Sequence, residues 1–234
     1  MTLARRLASE TLGSLLLAAT VVGSGIMAER LAQGNTAVAL LANTAATAAV
    51  LAVLIALLAP VSGAHFNPAV SLVMALQGKL RRPEAVGYVI AQVVGCCAGA
   101  LLANAMFALP VVQSSSHARA GLGQWLSEVV ATFGLLLVIL GHRRKQDAAW
   151  MVAAWIAAAY WFTASTSFAN PAITLARSLS DSFSGIRLQD VPAFIVAQLI
   201  GAGAALAMSR ALFEARAEER PAERGLHAAL EDHQ

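Results

Sequence analysis

The sequence predicts an all-α membrane protein with six transmembrane helices and two re-entrant half-helices, arranged as an inverted repeat. Three observations predict it. The 234-residue chain is 58% apolar and only 12% charged, about half the charged share of a soluble domain, and its mean hydropathy is +0.67. Six apolar segments approach the roughly 20 residues that a hydrocarbon core demands. The second half of the chain also echoes the first.

In order, the spans are 11–29, 37–59, 85–107, 124–141, 148–165 and 191–212. The first follows a signal-like basic flank, "MTLARR". Its apolar run continues to Ala28 without a clear cleavage site, so a retained span is expected. Between the second and third spans, and again between the fifth and sixth, lie apolar pieces too short to cross, at 68–77 and 171–180. Cys96 and Cys97 are adjacent within an apolar run. That spacing suits neither an ordinary disulfide nor a metal site, and both read as helix-packing residues.

Basic residues set the orientation. With the N-terminus inside, 12 of the 16 Lys and Arg residues are cytoplasmic. They are Arg5 and Arg6, then Lys79, Arg81 and Arg82, then Arg143, Arg144 and Lys145, then Arg210, Arg216, Arg220 and Arg224. Arg30, Arg119, Arg177 and Arg187 remain outside. Both termini are expected in the cytoplasm, and 213–234 form a charged tail there.

The repeat covers about 8–107 and about 124–212. "SETLGSLLLAATVVGSG" pairs with "SEVVATFGLLLVILG", aligning Glu10 with Glu128. "FNPAV" pairs with "ANPAI". "YVIAQVVGCCAGA" pairs with "FIVAQLIGAGAAL", aligning Gln92 with Gln198 and Gly95 with Gly201. Each unit holds three spans, an odd number, so the second copy enters the membrane inverted. Inverted repeats place a central site at their interface, where broken helices meet near the midplane.

Asn67-Pro68-Ala69 and Asn170-Pro171-Ala172 begin the two short pieces. Asn is a leading N-cap and Pro is favoured at the first helical position. Ten helical residues span about 15 Å, half the hydrocarbon core, so two half-helices entering from opposite sides meet head to head. Each start carries about half a positive charge, which repels cations. The Asn oxygens cap backbone N–H groups and are expected to leave the NH2 groups free to donate to a passing oxygen. Non-helical backbone at this depth requires protein or a wet cavity around it. The inferred object is a pore for uncharged, hydrogen-bonding solutes.

"SGAHFNPAV", the second Asn-Pro-Ala and the paired Glu and Gln residues resemble the aquaporin and aquaglyceroporin family, the major intrinsic proteins. The resemblance covers about residues 8–212. It implies one channel domain over 1–212, a homotetramer with one pore per subunit, and passive conduction of water or small neutral solutes. It also implies that Glu10 and Glu128, with Gln92 and Gln198, brace the half-helix loops. His65 either lines the cytoplasmic vestibule, as in the family pattern, or is a satisfied loop histidine.

The sequence departs from the family at Ile173, where members usually carry Arg. Carried over by spacing, the outer constriction falls on Thr47, Ala158, Ser167 and Ile173. Water-selective members typically have an aromatic residue and His at the first two. Losing an Arg removes five N–H donors, and the expected mouth is wider and less water-selective. Arg177, four residues on and on nearly the same helix face, has three courses: back into the mouth, outward to the surface, or onto Asp181. The stretch "NPAITLARSLSDSFSGI" looks like bacterial members associated with arsenic resistance. That likeness implies a bacterial inner-membrane location and a cargo of arsenite or methylated arsenicals in neutral hydroxylated form.

No Ser/His/Asp constellation, Walker loop or metal-spaced His/Cys cluster is present in the sequence, so no enzyme, cofactor or bound metal is expected. Topology accounts for the basic charge without nucleic acid. Expected partners are small neutral solutes, water and membrane lipid. Two alternatives stay open: a water-selective channel, and an alternating-access transporter, which would need intramembrane carboxylates along its path.

Overall fold

The computed structural model describes residues 1–142 and 147–214. Arg143, Arg144, Lys145 and the tail from 215 onward, including Arg216, Arg220 and Arg224, lie outside the described residues. Among the described residues, eight α-helices follow in order: α1 Leu3–Leu31, α2 Thr36–Ser62, α3 Pro68–Leu76, α4 Arg82–Met106, α5 Leu122–Gly141, α6 Ala148–Phe162, α7 Pro171–Arg177 and α8 Val191–Ser209. The helices α1, α2, α4, α5 and α8 are long and apolar enough to cross a membrane. The fifth span in chain order, α6, is shorter, with 15 residues, about 22 Å of helix.

Sequence explains most boundaries. Asn35 Oδ1 accepts the N–H groups of Ala37 and Val38 to start α2, and Gly63 ends it at φ 92°. Two expected elements are shorter in the structure. The fifth span stops at Phe162 because Thr163 turns extended and its Oγ1 bonds back to Ala159 O at 2.6 Å. The second half-helix stops at Arg177 because the next carbonyls serve other segments. Ser178 O accepts from Ser115 N, and Leu179 O accepts from Asn104 Nδ2.

Packing follows the repeat. Helix α1 lies against α4 and α5 against α8, and each contact is closed by a glycine. A Cβ on Gly95 would collide with Thr11 O, and one on Gly201 with Val129 O. Small residues permit this backbone approach where lipid gives helices no hydrophobic reason to associate. Large apolar side chains meanwhile point outward: Leu57, Val53, Ile90, Val94, Val196 and Ile200 are all more than half exposed. Exposure on that scale, spread over several helices, marks a lipid-facing surface. The polar core is inside, around the loops that precede α3 and α7.

Candidate functional site

The two half-helices meet at their starts. Asn67 Oδ1 accepts Ala69 N–H at 2.9 Å, and Asn170 Oδ1 accepts Ala172 N–H at 3.0 Å and Ile173 N–H at 3.3 Å. Their NH2 groups are not left wholly free, which corrects the sequence expectation. Asn67 Nδ2 donates to Ala169 O at 2.7 Å, and Asn170 Nδ2 donates to Phe66 O at 2.8 Å. Each asparagine thus bonds the loop of the other repeat, which stitches the junction and leaves one N–H per amide.

Those loops hold unusual backbone. Ala64, Phe66, Thr166, Ser167 and Ala169 all have positive φ, between 47° and 60°. Such residues persist only where surroundings over-determine them, and here carboxylates do so. Glu10 accepts Ser62 Oγ at 2.6 Å, His65 N at 3.0 Å, Phe66 N at 2.7 Å and Gln92 Nε2 at 2.8 Å. Glu128 accepts Phe168 N and Ala169 N, each at 2.9 Å, and Gln198 Nε2 at 2.6 Å. Gln92 and Gln198 also reach the half-helices, through Ser71 Oγ at 2.9 Å and Thr174 Oγ1 at 2.8 Å. All four acid and amide side chains are fully buried.

A cavity of about 610 Å³ runs past the junction. Helix α2 lines it with Thr47, Leu51, Ile55 and Ala59, and α6 with Ala148, Val152, Ile156 and Tyr160. Both sets recur every four residues, a single helix face about 18 Å long. Asn67, Asn170, Ser167, Ile173, His65 and Arg177 complete much of the polar and junction lining. Met74, Lys79 and His142 also contribute.

Of the four positions carried over by spacing, Thr47, Ser167 and Ile173 line the cavity and Ala158 does not. Ala158 is exposed on the other side of α6. Tyr160, two residues on and so turned by about 200°, is 3% exposed and takes the place at the wall. The signal for Tyr160 was present in its spacing from Val152 and Ile156. The offset from Asn170 misled because it crosses 163–169, where irregular backbone breaks helical phase.

His65 combines both expected roles. It lines the cavity, its Nδ1 lies 3.1 Å from Ser71 Oγ, and its ring packs 5.2 Å from that of Tyr88. Arg177 takes the first of its three courses. It is 2% exposed, so it does not reach the surface. Asp181 accepts from Ser116 N and Oγ, not from Arg177. The Arg177 guanidinium lies 3.3 Å from the centroid of the Phe168 ring, and its Nε donates to Ser184 O.

Sequence reasoning missed Arg119. Its Nε, Nη1 and Nη2 donate to Gly185 O at 2.7 Å, Ser165 O at 3.3 Å and Phe183 O at 3.1 Å. It also lies over Phe168, at 5.0 Å. Burial lowers its pKa to about 10, which leaves it charged at neutral pH. Arg119 therefore clamps three carbonyls behind the mouth. Nearby, Asp190 accepts from Arg119 N at 2.7 Å and pairs with Arg187 at 3.1 Å. Burial acts against its charge, yet these donors hold its carboxyl below the usual range.

Six spans, two half-helices joined across an inverted repeat, and a long cavity beside the joint define a membrane-channel architecture. The chain belongs to the family described as Major intrinsic protein, which it matches over residues 1–149 and 141–233. It is 56% identical over 214 residues to aquaglyceroporin AqpS of Rhizobium meliloti (strain 1021), covering 91% of each chain. It is 31% identical to the probable aquaporin AqpM of Archaeoglobus fulgidus, over 88% of this chain and 95% of that one. The X-ray structure of the aquaglyceroporin from Plasmodium falciparum superposes with a TM-score of 0.64 at 21% identity, covering 89% of this chain and 95% of that one. The last comparison speaks for the fold, the first two for family. The chain is accordingly an integral multi-pass membrane protein, not an enzyme.

Proposed function

We propose that the protein is a passive channel for small neutral hydroxylated solutes, passing glycerol-like polyols, metalloid hydroxides such as arsenite or methylated arsenicals, and water. One observation carries this: the cavity beside the paired asparagines is mostly apolar, with a few polar groups along it, including Thr47, Ser167 and Asn170. Such a wall strips part of a solute's hydration and returns it at a few points. A neutral polyol loses little there, whereas an ion loses far more. Ile173 in the lining gives solute carbon an apolar surface that an arginine there would deny. Likeness to an aquaglyceroporin supports the same choice.

In this proposal Glu10, Glu128, Gln92 and Gln198 are structural braces, and the pore is formed by Asn67, Asn170, Thr47, Tyr160, Ser167 and Ile173. The channel domain spans 1–212, assembles as a tetramer with one pore per subunit, and lies in a bacterial inner membrane with both termini cytoplasmic. The transporter alternative loses support because Glu10 and Glu128 spend their oxygens on loop donors and neither lines the cavity.

Stopped-flow light scattering on proteoliposomes tests the proposal. Glycerol and arsenite uptake above protein-free vesicles, linear in concentration and indifferent to proton or sodium gradients, is the expected outcome. Fast water efflux with vesicle-like glycerol and arsenite uptake would make it a water-selective channel. Saturable, gradient-driven uptake would make it a transporter.

A further inference from the structure

Three residues lining the cavity carry a buried polar atom with no hydrogen-bond partner among the described residues: Thr47 Oγ1, Ser167 Oγ and Arg177 Nη1. A buried donor without a partner is costly, and native structures rarely keep one unless water or a ligand completes it. The three atoms are chemically unequal. The hydroxyls donate or accept, whereas the guanidinium only donates.

The two guanidiniums at this end of the cavity are also unequal. Arg119 spends three nitrogens on carbonyls of 165, 183 and 185. Arg177 spends Nε on Ser184 O and rests on the Phe168 ring, while Nη1 has no partner. Among the described residues no carboxylate is within ion-pair distance of Arg177. The charge therefore has no ion-pair partner, and Ser184 O and the Phe168 ring hold the guanidinium in place.

We propose that Arg177 is the specificity-determining residue of the outer mouth, giving a hydrogen bond to a solute oxygen and a fixed positive charge against cations, one helical turn beyond Ile173. Ser167 and Thr47 take further solute hydroxyls, and Ile173 meets the carbon skeleton. The filter is thus displaced along α7, not lost. This rests on the channel function proposed above and specifies its selectivity.

Proteoliposomes of the full chain test it with glycerol against propylene glycol, which has one hydroxyl fewer, and with a sodium-leak assay. Wild-type glycerol uptake that exceeds protein-free vesicles establishes the channel independently of the variants. Arg177→Met is expected to lower the glycerol-to-propylene-glycol permeability ratio about tenfold, the scale of one hydrogen bond to a charged group, and to admit sodium. Arg177→Lys keeps the charge without the planar fork, so it should exclude sodium and recover only part of the ratio. A wild-type ratio with intact sodium exclusion in Arg177→Met overturns the proposal while leaving the channel standing. Should Arg177→Met fail to assemble, diacetyl labelling of the wild-type protein decides. Modification of Arg177 that glycerol slows, with Arg187 unaffected, supports the proposal, and an Arg177 that diacetyl never reaches overturns it.

Discussion

The two loops that lead into α3 and α7 are built on one plan and finished differently. Each is held by a buried glutamate that accepts consecutive backbone N–H groups and a glutamine. Each places left-handed residues at matching positions, Ala64 with Ser167 and Phe66 with Ala169. Each lends a carbonyl to the other's asparagine. Even the residues after Asn-Pro-Ala match, since Val70 and Ile173 are both β-branched and both line the cavity. One turn further along, the plans part: Met74 in the first half corresponds to Arg177 in the second, and both line the cavity. The residue between the left-handed pair differs too, His65 in one loop and Phe168 in the other. Repetition therefore fixes the joint, and divergence beside it assigns different chemistry to the two mouths. Isoleucine follows the second motif as valine follows the first, and the joint itself is nearly symmetric and apolar. The cation sits at the end of α7, one turn beyond the joint, where the two halves diverge.

The comparison breaks most readily at its braces. Glu10 accepts four donors and Glu128 three. A glutamine in either place turns one acceptor oxygen into a donor facing donors, with no room for water. Loss of stability on the order of 4 kcal/mol is expected for Glu10→Gln, because several charge-assisted bonds fail together, and somewhat less for Glu128→Gln. Thermal unfolding of detergent-solubilised protein, followed by size-exclusion recovery, measures this. Equal losses would mean that Ser62 adds nothing to the first brace. Wild-type stability in both would remove the glutamates from the account.

Much of this was legible in the residues. Span lengths, the Asn-Pro starts and the aligned Glu and Gln pairs are local or periodic signals, and lipid makes the periodic ones stronger because every backbone group must be satisfied internally. What was not legible depended on irregular backbone. Ala158 was placed at the wall by counting across 163–169, and helical phase does not survive such a segment. Arg177 could not be oriented from sequence because its partners, Ser184 O and the Phe168 ring, come from segments on either side of α7. Arg119 looked like one more external charge. Its three carbonyl partners are 46 to 66 residues away along the chain.

A smaller effect is expected from making the joint asymmetric. Ile173→Arg sets a second guanidinium one turn from Arg177, and like charges four apart on a helix repel. Glycerol flux should fall about tenfold, equivalent to about 1.4 kcal/mol in the barrier, with water flux less affected. Stopped-flow measurement of both solutes in the same vesicles checks it. Unchanged glycerol flux would detach Ile173 from the conducting path and leave the Val70 correspondence without functional weight.

The smallest expected effect concerns an anchor of the outer loop. Asp181 accepts Ser116 N at 2.8 Å and Ser116 Oγ at 3.0 Å. The backbone N–H is the larger influence, and together these bonds hold the exposed carboxyl below its ordinary value. A depressed folded-state pKa means that the anchor contributes fully above the unfolded value, about 3.9. Its contribution disappears as pH falls through the lower folded value. Arg119 is held by carbonyls that do not titrate in this range, so acid should release Ser116 while the three-carbonyl clamp stays. The protection factor of the Ser116 amide is expected to fall below about pH 4, with the amide of Gly185, which donates to Ser182 O, still protected, and Asp181→Asn should show weakened protection of Ser116 even at neutral pH. If the amide of Gly185 loses protection in step with Ser116, the clamp depends on the carboxylate, and the outer mouth owes its order to the exposed loop instead of to Arg119.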